Sequence, residues 1–357
     1  MAEEKSPRLM SLDIFRGLTV AGMIVVNTPG NGHAYRLLDH AEWNGCTPAD
    51  LVFPFFLFIM GAALVFSLSG RAQGGALLAK IVKRAAVIFA LGLFLNAIPH
   101  WHPATLRLPG VLQRIAVCYL VCALLFLTTG LRAQAALAAA LLLGYWLAMT
   151  QIGAGDLSKE GNLAAQFDRF ILGPHAYRPG VYDPEGIPST LPALATVLLG
   201  MFAGSWLRSR RPAERKAAVL AGAGAALAGL GWLWGLIFPV NKALWTSSYV
   251  LYTGGLACFI LADCFWLADI LGWKAWSRPF EALGVNALAA YVLPILLLKA
   301  LVYSRVAGTQ PRLWLCAHLF GTWLSPLSAS AAFAFSYAAL WTGAFWFLNR
   351  RRLILKI

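Results

Sequence analysis

The chain has 357 residues, 59% of them hydrophobic and only 12% charged, with mean hydropathy +0.68 and a formal net charge of +14. Soluble domains carry about 25% charged residues, and the repeated apolar runs near the length a bilayer core demands of a helix exclude a soluble enzyme. The absence of short alternating segments excludes a membrane barrel, and no basic run is interleaved with aromatics as nucleic-acid binding would need, so the basic excess marks cytoplasmic loops.

The sequence therefore predicts an all-α, polytopic integral membrane protein: one transmembrane domain over 1–357 with about ten spans. The first span covers about 11–27. It holds Asp13 and Arg16 and is followed by no small-residue cleavage site, so it is expected to stay in the membrane. At 100° per residue Asp13, Arg16 and Asn27 share one face, with Arg16 and Asn27 roughly 16 Å apart along the axis. Charges inside a span more often line a site than face lipid, although Asp13 and Arg16 also have the spacing of an i,i+3 ion pair.

A polar loop follows, carrying His33, Arg36, His40, Trp43 and Asn44. Span 2 runs over about 47–69, with Thr47 as N-cap, Pro48 at the first helical position and Asp50 in the first turn. Span 3 covers about 81–98 and span 4 about 109–127, with Gln113 and Arg114 inside it. Span 5 covers about 133–151. The longest polar segment, 152–187, reads as a folded external loop; loops of this length are usually functional or disordered. Spans 6, 7 and 8 cover about 189–207, 217–238 and 245–267, and span 9 about 279–303 with Asn286 well inside. The stretch 313–324 is too short to cross and reads as interfacial or re-entrant, and span 10 covers about 328–348.

With ten spans both termini share a side, and that side carries roughly twofold more Lys and Arg than the other, which makes it cytoplasmic. The six cysteines, Cys46, Cys118, Cys122, Cys258, Cys264 and Cys316, form no CxxC pair, so neither disulfides nor a metal cluster are expected. A two-histidine metal site at His100 and His102 lacks a third ligand at suitable spacing, and no metal is expected. This topology gathers Asn27, His40, Trp43, Asn44, Asp183, Asn241 and Lys242 at the external side. A loop histidine there can serve as a general base, and arginines in the spans can hold anionic groups.

The segments SLDIFRG (11–17), HAEWNG (40–45), ADLVFP (49–54), LPGVLQRI (108–115), YDPEG (182–186), PVNKALW (239–245) and GVNA (284–287) stand in one order over nearly the whole chain. Together they resemble the heparan-α-glucosaminide N-acetyltransferase family, the transmembrane acetyltransferase of lysosomes and its bacterial relatives. The extra luminal domain of the lysosomal enzyme has no counterpart, so the resemblance implies a bare catalytic unit in a bacterial inner membrane. It also implies acetyl transfer from cytosolic acetyl-CoA to the amine of a glucosamine-type sugar on the external side, with a possible homodimer. The catalytic histidine matches His40 and its partner asparagine Asn27. Arg16, Arg114, Gln113, Asn286 and Asp13 are then expected to bind acetyl-CoA. Asn44, Trp43, Asp50, Asp183, Asn241 and Lys242 are expected to bind the sugar, with Trp245 a further candidate for stacking on it. An amino-sugar transporter and an O-acyltransferase of an exported polysaccharide are the alternatives.

Overall fold

The computed structural model describes residues 9–353 apart from Gln73, His100 and Ala307, so His100 of the His100–His102 pair lies outside the described residues. The described chain is helical. Its α-helices are α1 (Met10–Asn27), α2 (Pro48–Leu68), α3 (Gly75–Ala97), α4 (Val111–Thr128), α5 (Leu131–Leu147), α6 (Leu163–Leu172) and α7 (Ile187–Leu207). They continue as α8 (Ala213–Trp234), α9 (Ser247–Cys264), α10 (Arg278–Val285), α11 (Ala287–Tyr303), α12 (Pro311–Leu319) and α13 (Pro326–Arg350). Wider π turns extend α5 over Ala148–Ile152 and α9 over Phe265–Ile270. In hydrocarbon each backbone amide must bond within its own segment, so long apolar runs become helices.

Among the described residues, eight helices are long and apolar enough to cross a membrane, and a bent pair can supply a ninth. The chain is thus a multi-pass membrane protein, and the expected count of about ten is not reached by these criteria. The bent pair is α10 and α11, which meet at 88°. The sequence had suggested one straight span over 279–303; instead Asn286, at φ −106°, forms the corner and its side-chain amide donates to Ala282 O of α10 at 3.0 Å. The stretch after it forms the short helix α12, consistent with a non-crossing segment. The loop 152–187 is folded around α6, whose cap Asn162 accepts from Ala165 N at 2.8 Å.

The chain divides into two compact units. The first comprises Glu42–Cys46 and Phe53–Ala262; the second comprises Leu9–Ala41, Thr47–Val52 and the described part of 263–357. In the first unit α2 and α7 meet backbone to backbone, and a Cβ at Gly200 would lie 1.9 Å from Phe58 O. In the second unit α1 and α10 meet the same way, where a Cβ at Gly17 would lie 1.7 Å from Phe280 O. Small residues at such crossings let helices gain dispersion contact where lipid offers no hydrophobic drive. Hydroxyls inside the helices return to the preceding turn, as Thr19 does to Phe15 O and Thr253 to Tyr249 O, which satisfies these donors within the apolar layer.

Candidate functional site

In the second unit the loop after α1 brings His40 onto Asp50. Asp50 is the third residue of α2, where a carboxylate complements the positive end of the helix dipole. Its Oδ2 accepts from Thr47 N and Ala41 N, both at 3.0 Å, the carboxylate half of a capping box. Thr47 Oγ1 lies 3.1 Å from the same oxygen and 2.7 Å from Asp39 O. Asp50 Oδ1 accepts from His40 Nδ1 at 2.8 Å. The Asp50 side chain is 1% exposed and that of His40 is 44% exposed. A carboxylate can only accept, so Nδ1 carries the proton and Nε2 the lone pair. One face of the imidazole is therefore fixed by buried charge while the ring itself reaches solvent. Asn27 is the last residue of α1 and is exposed.

The other polar residues of α1 form a second cluster in this unit. Arg16 Nη1 donates to Asp13 Oδ1 at 2.9 Å and to Gly284 O at 3.2 Å, two residues before the Asn286 corner. Asp13, Arg16 and the Asn286 break are thus brought together, with Asp13 and Asn286 buried.

The first unit holds the remaining candidates. Asp183 is buried and saturated: it accepts from Arg107 Nη2 at 2.7 Å, Arg107 Nε at 3.1 Å, Tyr177 N at 2.6 Å and Glu185 N at 2.9 Å. Glu185 also accepts from Arg107 Nη2. Burial alone pulls the Arg107 guanidinium down, and the Glu185 and Asp183 carboxylates more than reverse this, so its pKa is raised overall. Asp168 is joined to the end of this motif by Ile187 N, which donates to its Oδ1 at 2.9 Å. Burial pushes the Asp168 carboxyl up to about 7 against that hydrogen bond, with Asp183 adding to the rise and Arg114 opposing it.

Arg114 is buried in α4, with Nη2 donating to Gly186 O at 3.3 Å and to Ser189 Oγ. Its guanidinium lies 5.0 Å from the Trp245 ring centre and 5.9 Å from that of Phe53. Its Nε and Nη1, and Nε2 of neighbouring Gln113, are buried donors without a hydrogen-bond acceptor. Unmatched buried donors of this kind are uncommon and point to an absent acceptor. Trp245 is 1% exposed and donates to Thr196 Oγ1 at 3.1 Å, so it supports Arg114 and offers no platform to a sugar. Its φ of +53° is a strained value for a bulky residue, held by the turn before α9.

That turn also fixes Asn241. Its Oδ1 accepts from Leu244 N at 2.9 Å and its Nδ2 donates to Asn44 Oδ1 at 3.0 Å. Asn241 is fully buried, whereas Asn44 is exposed and Lys242 is half-buried. Trp43 donates from Nε1 to Leu157 O at 2.8 Å and meets the Tyr182 ring edge-on at 5.2 Å. Sequence reasoning missed Arg107, Glu185 and Asp168 as members of this group. The available signal was the pair of carboxylates two apart in YDPEG, which needs a cation if it is buried.

A multi-pass helical membrane protein with a half-exposed histidine on a buried carboxylate, and a buried arginine with unmatched donors, is the class these features define. The family description "Heparan-alpha-glucosaminide N-acetyltransferase, catalytic" matches residues 8–238, and the chain belongs to that family. Among curated relatives, heparan-alpha-glucosaminide N-acetyltransferase of Homo sapiens is 33% identical over an alignment covering 80% of this chain and 52% of the relative. The protein of the same name from Mus musculus is 31% identical over 80% of this chain and 53% of its own length. The chain thus spans about half the length of the curated relatives it matches.

Proposed function

We propose that this protein is a transmembrane N-acetyltransferase that moves acetyl from acetyl-CoA to the amine of a glucosamine-type sugar, with His40 as general base. The observation that carries the reading is the 2.8 Å bond from His40 Nδ1 to buried Asp50. It presents Nε2 as the proton acceptor and stabilises the imidazolium that forms. The sugar amine is mostly ammonium at neutral pH. His40 takes its proton, the nitrogen forms a bond to the thioester carbon, and the C–S bond breaks to release CoA thiolate, which takes up a proton. Asn27 supplies an amide donor to the oxyanion between these steps; one such donor is worth ~10²–10³ in rate.

Arg114 and Gln113 are assigned to the donor because their unmatched buried N–H groups suit a phosphate oxygen or a pantetheine carbonyl. Arg16, Asp13 and Asn286 are assigned to it on the family resemblance. Trp43, Asn44 and Lys242 are assigned to the sugar, with Asn241 holding Asn44 in place and Asp183 holding the YDPEG segment. Asp50 acts through His40. The proposed setting is a bacterial inner membrane with cytoplasmic termini. Transporters pair their broken helices across a repeat, and the described residues show one bent pair, which gives the transport reading no second element.

Acetyl-CoA-dependent N-acetylation of glucosamine by the purified protein tests the assignment. His40→Ala is expected to abolish turnover, and full activity in that variant would refute His40 as the base. Rapid quench with labelled acetyl-CoA and no sugar separates direct transfer from an acetyl-histidine route, and no label is expected on His40.

A further inference from the structure

The second unit contains a cavity of about 710 Å³ that the transfer chemistry does not use. One end is the His40 loop, where Leu37 and Leu38 lie three and two residues before His40, together with Ala49, which immediately precedes Asp50 in α2. Its walls are α1, the first turns of α2, α10 and α13. Along α13 it extends from Phe335 to Trp346, which is roughly 16 Å at the helical rise of 1.5 Å per residue. That is about half the thickness of a bilayer core, the depth of a single leaflet. Among the side chains that line it, the polar atoms are the Thr342 hydroxyl and the Trp346 indole N–H, and Thr342 already donates to Ala338 O at 2.7 Å.

This lining discriminates among occupants. A sugar ring or the two amides of pantetheine would enter with polar groups that find almost no partners, and burying such groups unpaired is unfavourable. Water has too few polar contacts to be held there. A hydrocarbon chain makes no such demand, and its length along α13 fits one leaflet. A chain seated here reaches Leu37, Leu38 and Ala49, the sequence neighbours of His40 and Asp50.

We propose that the cavity binds the hydrocarbon tail of a lipid-linked amino sugar, so that the acceptor is a glycolipid whose amine is presented to His40 while its tail lies along α13. This rests on the N-acetyltransferase reading and names its acceptor class. The anchor raises the local concentration of the amine at His40, so its effect belongs in KM for the acceptor and not in the chemical step.

The test uses purified full-length protein with glucosamine and with butyl, hexyl and octyl glucosaminides below their micelle concentrations. KM is expected to fall with tail length, on the order of tenfold or more by octyl, with kcat little changed. Gly343 lies on the cavity wall in mid-α13, and a Cβ added there meets no heavy atom within 4 Å. Gly343→Leu is therefore expected to fill the cavity without disturbing the helix, to remove the gain from the tail and to leave KM for glucosamine unchanged. An octyl glucosaminide with a diazirine at the tail end is expected to label residues 335–346, read by peptide mass spectrometry. A KM independent of tail length, a gain that survives Gly343→Leu, or label competed equally by ordinary phospholipid would overturn the proposal. Failure to acetylate glucosamine itself is a different result, which overturns the acetyltransferase reading beneath it.

Discussion

Replacing Asp50 by Asn isolates the charge on the histidine partner. The carboxylate uses both oxygens: Oδ1 accepts from His40, and Oδ2 accepts from the Thr47 and Ala41 amides. Asparagine keeps one acceptor oxygen. Two backbone donors at 3.0 Å claim it, which turns the new NH₂ toward His40 Nδ1. An amide NH₂ can only donate, so Nδ1 becomes the acceptor and the proton moves to Nε2. The lone pair that should take the substrate proton is then on the wrong nitrogen. The lost bond is charge-assisted and worth about 1.5–3 kcal/mol, which corresponds to roughly a ten- to hundredfold fall in kcat. Steady-state kinetics with acetyl-CoA and glucosamine should show that fall with KM for acetyl-CoA unchanged. The melting temperature should drop only modestly, because the backbone cap at Thr47 survives. A folded Asp50→Asn protein with kcat within twofold of the parent would show that Asp50 is a helix cap and nothing more.

Two stability predictions concern the first unit. Arg107→Ala leaves the Asp183 carboxylate buried without its cation, which typically costs 3–5 kcal/mol; thermal unfolding in detergent should fall steeply, with Arg107→Lys intermediate because a point charge replaces a two-pronged fork. For Asp168, burial raises the folded-state pKa from an ordinary carboxylate value to about 7. The folded state then binds the proton more tightly than the unfolded chain, so the protein loses stability as pH rises from about 4 to 7, by on the order of 3 kcal/mol. Asp168→Asn keeps an acceptor for Ile187 N and removes that titration. Its stability advantage over the parent should be present at pH 8 and vanish near pH 4; an advantage that does not change with pH would refute the assignment.

The elements that the sequence disclosed are those governed by one local rule. Apolar runs of bilayer length became helices with ends displaced by only a few residues, as in α2 and α7. Asn286 escaped because GVNA sits in an otherwise continuous apolar stretch. Its corner depends on Gly284 packing against Asp13 O, where a Cβ would lie 1.9 Å away, and that is a contact between residues 271 positions apart. Trp245 is a candidate sugar platform only by its place in the PVNKALW segment of the resemblance. The turn at PVNKALW drives it inward under Arg114 instead.

Asp50 and Asp183 show why site residues are harder to read than spans. Both are acidic, and the same resemblance assigns both to the sugar. Burial does not separate them either, since their side chains are 1% and 0% exposed. What separates them is the donor each one meets. Asp183 meets a guanidinium that stays charged at any working pH and whose forked N–H groups fill its oxygens. That pair has no proton to exchange, so it can fix the loop but cannot move charge. Asp50 meets an imidazole, whose second ring nitrogen is left free of the carboxylate. A buried carboxylate therefore becomes chemically useful here through the titratable ring it orients, and that pairing depends on the path of the loop from Asp39 to Thr47, which no residue spacing encodes.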